Sequence, residues 1–205
     1  MRLLVATTNP NKVREIRDIL DGLPVELLGL RDVTAVDEPE ETGLTFEENA
    51  RDKARYYARA TGLLAVAEDS GLVIDGLGGE PGVHSARYGG DAARTYPEKF
   101  ALVYSRLAAQ GALRSPARFV CALALASGDR ILFESRGTIE GHIADAPRGD
   151  QGFGYDPIFF YPPLARTLAE VDAATKAGVS HRGRAFQQLR EFLSAREPGE
   201  IDGRT

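Results

Sequence analysis

The sequence predicts a mixed α/β fold, and three patterns carry that reading. Short, uninterrupted apolar runs at 3–6 and 63–67 suit strands buried on both faces. Helical periodicity accompanies them, with turn and cap residues at the right offsets. Two longer segments, 117–126 and 131–143, look like strands joined by the turn Ser127-Gly128-Asp129 and read as an antiparallel hairpin.

In chain order, the first run is followed by Thr7-Thr8-Asn9-Pro10, where Asn9 can cap a helix and Pro10 fits its first position. Val13, Ile16, Leu20 and Leu23 share one stripe of that helix, which Gly22 and Pro24 end. A second strand is expected at 25–30, and 31–43 is irregular and acidic. Thr45 and Glu48 form a capping box that opens a helix running to about Gly62. The run at 63–67 then leaves through Glu68-Asp69-Ser70-Gly71, read as the strand's exit. Pro97 starts a helix with Phe100, Val103 and Leu107 inward. Beyond the hairpin, 146–155 is a loop rich in glycine and aromatics. Helices are expected near 168–175 and 184–195, and the tail 197–205 reads as disordered.

With 205 residues the chain is slightly longer than the ~150-residue domain norm, so one domain or two tightly joined lobes is expected. Hydrophobic residues make up 43% and charged residues 27%, enough to bury a core. A formal net charge of −5 argues against broad binding to DNA or RNA, which needs a cationic surface. A small phosphorylated ligand stays compatible with that charge, because a metal ion reconciles phosphates with an acidic site. The lone Cys121 excludes an intrachain disulfide, and its apolar surroundings favour a buried hydrophobe over a catalytic thiol. No stretch suits a signal peptide or approaches the ~18 apolar residues that cross a bilayer. The expectation is a cytoplasmic protein with no membrane partner.

Five segments could carry chemistry, and each also has a plainer reading. Lys12 lies in the first turn of a helix, where a cation opposes the dipole by ~0.3–1 kcal/mol. It is either a solvated lysine or one that shares a phosphate with the helix N-terminus. Glu40 and Glu41 belong to a charge run that is either solvated or metal-binding. Glu68 and Asp69 end an apolar strand, where acids are costly without partners and where open α/β sheets place ligands. The loop 149–156 is either a flexible hairpin or a cradle in which Phe153 and Tyr155 stack a base. Ser180-His181-Arg182-Gly183 is either plain surface near a helix start or a pair of donors of the kind that reads O6 and N7 of a 6-oxo purine.

Taken in order, these segments make the chain resemble the Ham1-like inosine/xanthosine triphosphate pyrophosphatases, also described as dITP/XTP pyrophosphatases. The carrying residues are Ala6-Thr7-Thr8-Asn9-Pro10-Asn11-Lys12, Glu41-Thr42-Gly43-Leu44-Thr45-Phe46, Glu48-Asn49-Ala50 and Lys53-Ala54. They continue with Glu68-Asp69-Ser70-Gly71-Leu72, Ser85-Ala86-Arg87-Tyr88, Gly152-Phe153-Gly154-Tyr155-Asp156 and Ser180-His181-Arg182-Gly183. The match runs from about Leu4 to Leu189, and it is looser just before Lys176.

The resemblance implies one Ham1-like domain over 1–205, with a long mixed central sheet, flanking helices and two lobes around an active-site cleft. It implies Mg²⁺-dependent hydrolysis of dITP/ITP and XTP/dXTP to monophosphate and pyrophosphate by a homodimer. Glu40 and Asp69 are the implied metal ligands, and Asp69 also the implied proton acceptor; Glu68 is left without an assigned role. Thr7, Thr8, Asn9, Pro10, Asn11 and Lys12 are implied to bind the phosphates, with Lys53 reaching them. Ser70, Phe153, Gly154, Tyr155, Asp156, Lys176, His181 and Arg182 are the remaining implied substrate contacts.

Overall fold

The structure, a computed structural model, describes residues 1–196 and Ile201. The expectation for the tail at 197–205 therefore lies outside the described residues, Ile201 apart. The strands are β1 (Arg2–Val5), β2 (Glu26–Gly29), β3 (Leu64–Ile74), β4 (Pro116–Ser127), β5 (Arg130–Ile143), β6 (Phe159–Tyr161) and β7 (Arg166–Thr167). The helices are α1 (Pro10–Leu20), α2 (Phe46–Thr61), α3 (Tyr96–Ala109), α4 (Ala173–Val179) and α5 (His181–Ser194). All seven strands join one sheet in the order β2-β1-β3-β4-β5-β6-β7. β1 lies parallel to β2 and β3, with Leu4 facing Leu28 on one side and Ala65 on the other. β6 lies antiparallel to β5 and β7, so the sheet is mixed, as expected.

Local chemistry sets the helix starts. Asn9 Oδ1 accepts hydrogen bonds from the backbone of Asn11 and Lys12, and Pro10 needs no such partner. Capping boxes open α2 at Thr45 and Glu48, and α3 at Thr95 and Glu98. Gly62 closes α2 in the left-handed conformation, at φ 68°, where a side chain would be strained.

Two compact units divide the chain. The first comprises Met1–Asp69, Cys121–Gly137 and the described part of 181–205. Its core joins Leu3 and Val5 of β1, Ile16 and Leu20 of α1, Leu64 and Val66 of β3, and Phe186 and Leu189 of α5. Cys121 belongs to this core, and burial pushes its thiol well above the usual range, as a structural cysteine requires. The second unit comprises Ser70–Val120 and Thr138–Ser180. Its core gathers Leu72 and Ile74 of β3, Phe100, Val103 and Leu107 of α3, and Phe119, Ile139 and Phe159.

Three expectations need correction. β3 does not exit at Glu68 but continues through Glu68-Asp69-Ser70-Gly71 to Ile74. Acids read as a strand end because they are costly in a buried strand, and here partners from three helices meet that cost. The helix expected at 168–175 is a 3-10 turn at Leu168–Glu170 followed by α4, whose start is set by Asp172 accepting from the Thr175 backbone. Lys176 thus lies within α4. The last helix begins at His181, three residues earlier than expected, because Gly183 in its first turn weakens the helical pattern. Among the described residues, no helix is long and apolar enough to cross a membrane.

Gly137 of β5 packs directly on the first turn of α5. A Cβ there would lie 1.9 Å from the His181 carbonyl oxygen and 2.7 Å from the Ala185 nitrogen. Backbone cannot yield as a flexible side chain does, so Gly137→Ala is expected to destabilise by about 1–3 kcal/mol or more. Urea unfolding should show a lower midpoint with little change in slope.

Candidate active site

Strand geometry decides what surrounds Glu68 and Asp69. Successive strand residues point to opposite faces, so these neighbours meet different helices. Glu68 meets α1 and α5. Lys12 Nζ of α1 is 2.8 Å from Glu68 Oε1, and Arg182 Nη2 of α5 is 3.2 Å from the same oxygen. Arg182 also donates to Glu15 Oε2 at 2.7 Å, so α1, β3 and α5 share one charge network. Glu68 is 3% exposed and Arg182 1%. Burial alone would raise the Glu68 carboxyl, yet the charges of Arg182 and Lys12 hold it well below the usual carboxylate range. Burial opposes the Arg182 charge as well, and Glu68 and Glu15 more than restore it.

Asp69 meets α2. Asn49 Nδ2 donates to Asp69 Oδ2 at 2.9 Å, and Asn49 Oδ1 accepts the Gly43 backbone N–H at 2.8 Å. One buried amide thus fixes both the aspartate and the loop before α2. Lys53 Nζ lies 2.5 Å from Glu41 Oε1 and 3.8 Å from Asp69 Oδ1. Burial raises the Asp69 carboxyl, and the nearby charges of Glu41 and Glu68 add to that. Lys53 and Asn49 pull it back only in part, so it remains raised. For Lys53, burial disfavours the ammonium, but Asp69 and Glu41 outweigh it and its affinity for the proton rises.

The loop at 7–12 is ordered by its own polar groups. Thr7 Oγ1 accepts from the Asn9 backbone at 3.2 Å, and Thr8 Oγ1 donates to Glu38 at 3.3 Å. Pro10 opens α1, and the Asn11 side chain accepts from Arg14 at 3.3 Å. Glu40 is exposed, and the acid held by Lys53 is its neighbour Glu41. His181, 5% exposed, stands in the first turn of α5.

The second unit holds the other group. Asp156 accepts the Phe153 backbone N–H at 2.8 Å and Lys176 Nζ at 2.5 Å. The same ammonium lies 4.6 Å from the Phe153 ring centroid, a cation–π contact. Gly152, at φ 70°, leaves room for this: a Cβ there would be 2.2 Å from Asp156 Oδ2. Phe153 is half-buried beside Gly154, whereas Tyr155 is a core residue. Tyr155 Oη donates to the Ser85 carbonyl at 2.9 Å, and its ring meets Tyr96 edge-on at 5.4 Å. Ser70 is half-buried on β3 in this unit.

Sequence reasoning gives Asn49 and Glu15 no role in the site, and it weighs Glu41 only beside Glu40, the implied metal ligand. Asn49 carries a legible signal, since a polar residue sits on the face of α2 that buries Phe46, Ala50 and Ala54. Nothing in spacing separates Glu41 from Glu40. Glu15 looks like any exposed helical acid until Arg182 is brought to it.

These features define an α/β protein that buries a network of paired charges around two adjacent strand acids, with an aromatic glycine loop in its second unit. The chain belongs to the Ham1 family, whose model matches residues 3–192. It is 48% identical to the dITP/XTP pyrophosphatase of Geobacter sulfurreducens, over 94% of this chain and 96% of that protein. It is likewise 48% identical to that of Thermus thermophilus, over 98% and 96%. A HAM1 protein from Coxiella burnetii superposes with a TM-score of 0.88 at 40% identity, covering 96% of this chain and all of that one.

The charge network makes a pH prediction. The Glu68 carboxyl is lowered on folding, so its stabilisation is fully present above its ordinary value of 4.5 and is lost as pH falls. Glu68→Gln removes one partner of a buried pair and is expected to cost about 3–5 kcal/mol at neutral pH. Wild type and variant should then converge in urea midpoint as the pH is taken below 4.5. Parallel curves would exclude this role for Glu68.

Proposed function

We propose that the protein hydrolyses non-standard purine nucleoside triphosphates, dITP/ITP and XTP/dXTP, to the monophosphate and pyrophosphate, cleansing the nucleotide pool. The observation that carries this reading is Asp69: a buried carboxylate, oriented by Asn49 and accompanied by Glu41 and Lys53. Its relatives from G. sulfurreducens and T. thermophilus, matched over nearly their whole length, carry the name dITP/XTP pyrophosphatase. The reading extends to a cytoplasmic homodimer.

Magnesium is the proposed cofactor, and the donor chemistry fits it. The carboxylates of Glu41 and Asp69 both approach one cationic atom, Lys53 Nζ, so the pair can share a cation. Among the described residues, no three or more His, Cys, Asp or Glu side chains are grouped to hold a metal. Mg²⁺ needs no such cage, because one or two carboxylates suffice when phosphates and waters complete its shell. Asp69 would hold it, with Glu41 or Glu40 from the adjoining loop; when bound, the ion neutralises charge on the triphosphate.

The chain's own groups supply the rest. The N-terminus of α1 and Lys12 receive phosphate oxygens, and Lys53 adds a second ammonium. Asp69, whose carboxyl burial raises from its ordinary value, is the group assigned to accept a proton from the attacking water. Attack on the α-phosphorus releases pyrophosphate in one piece. Phe153 offers a face to the base, and Asp156 with Lys176 keeps that ring in place. His181 and Arg182 are the donors assigned to a 6-oxo purine, which accepts where adenine would donate. Arg182 also anchors Glu68.

With Mg²⁺, pyrophosphate should appear from ITP, dITP and XTP far faster than from ATP or GTP. Equal turnover of ATP and ITP, or release of single phosphate, would sink this reading. Removing the metal with EDTA should abolish turnover and adding Mg²⁺ should restore it. Asp69→Asn should lower kcat by at least about a hundredfold, the lower end for a general base, with its circular dichroism unchanged.

A further inference from the structure

We propose that Lys53 stands in for the metal in the nucleotide-free protein, so that the divalent ion and the triphosphate bind in a mutually dependent way. The inference rests on the function proposed above, to which it adds the order and coupling of binding.

The geometry starts from α2. Lys53 projects from a helix fixed by its capping box and by Asn49, and its side chain is only 12% exposed. Its ammonium reaches Glu41 at 2.5 Å and Asp69 at 3.8 Å, a position between the two carboxylates that suit a divalent ion. Two carboxylates brought together where one is buried and the other half-buried repel each other unless a cation lies with them. Lys53 supplies that cation from within the chain. An incoming divalent ion must share this space with a like charge or displace it, so the metal alone is disfavoured.

A triphosphate changes the balance. It offers the ammonium new oxygens, and a lysine on a flexible four-carbon stem can exchange one partner for another while α2 stays in place. The carboxylates of Glu41 and Asp69 are then left to the ion. An ion held by two carboxylates fills its shell with phosphate oxygens and waters, which suits a metal that arrives with its nucleotide. Glu68 differs, since Arg182 holds it as well as Lys12 and its charge stays paired if Lys12 turns to phosphate. By linkage, nucleotide must raise metal affinity by the factor by which metal raises nucleotide affinity.

Mn²⁺ binding, followed by electron paramagnetic resonance or calorimetry, tests this without turnover. Wild type should bind Mn²⁺ weakly alone and more tightly with an α,β-imido analogue of dITP. Lys53→Met should bind Mn²⁺ alone at least about tenfold more tightly than wild type, a factor typical of coupled sites. In that variant the analogue should add less to metal affinity. Lys53→Arg keeps the charge and should, like wild type, bind Mn²⁺ alone weakly. Asp69→Asn in the Lys53→Met background should abolish the gain, tying it to this place. Circular dichroism confirms folding, and Lys53→Gln replaces the methionine variant if that one fails to fold. A folded Lys53→Met protein with wild-type affinity for Mn²⁺ alone overturns the inference but leaves the hydrolase reading standing. No Mn²⁺ binding by wild type even with the analogue overturns the metal assignment and the inference together.

Discussion

Two adjacent carboxylates in the middle of a buried strand are expensive to hold, and most of the first unit is organised around holding them. Glu68 and Asp69 of β3 are almost out of contact with solvent. Because they point to opposite faces of the sheet, no single helix can serve both. α1 and α5 send Lys12 and Arg182 to one, while α2 sends Asn49 and Lys53 to the other. The helices therefore need a particular rotation and register as well as a buried apolar stripe. Gly137, which lets β5 touch the first turn of α5, is one of the places where that register is set.

The two faces are held by different chemistry. On the Glu68 side a buried guanidinium joins two acids from two elements, a planar and permanently charged clamp suited to a fixed arrangement. On the Asp69 side a neutral amide orients the carboxylate and a flexible ammonium balances its charge. A rigid support thus lies behind one acid and an exchangeable partner beside the other. The second unit follows the same economy of parts, since Asp156 orders the Phe153 backbone and anchors Lys176 with one carboxylate oxygen.

Much of this architecture is legible in the residues alone. Asn9-Pro10, Thr45 with Glu48, and Gly62 mark helix ends through interactions within a few residues, and the helices of the folded chain start and stop there. The buried runs of β1 and the start of β3 are equally plain, as is the place of Cys121 in the core. Sequence and structure part where distant partners overrule local preference. The acids of β3 imitate a strand end because their counter-charges lie far away in sequence, Arg182 being 114 residues from Glu68. A glycine hides the start of α5, and the cap at Asp172 displaces α4.

By itself, the sequence determined the mixed α/β class, the caps, the identity of the polar loops and, through their order, the Ham1 resemblance. These depend on local hydrogen bonding and on side-chain periodicity, which are written in neighbouring residues. Only the tertiary structure decided that Glu41 is the acid Lys53 holds, that Asn49 orients Asp69, and that Tyr155 is core while Phe153 is half-buried. It also decided that Arg182 is buried between Glu15 and Glu68. Such facts are set by how helices dock on a sheet, because the energy of a buried charge depends on which opposite charge that docking brings within a few ångströms.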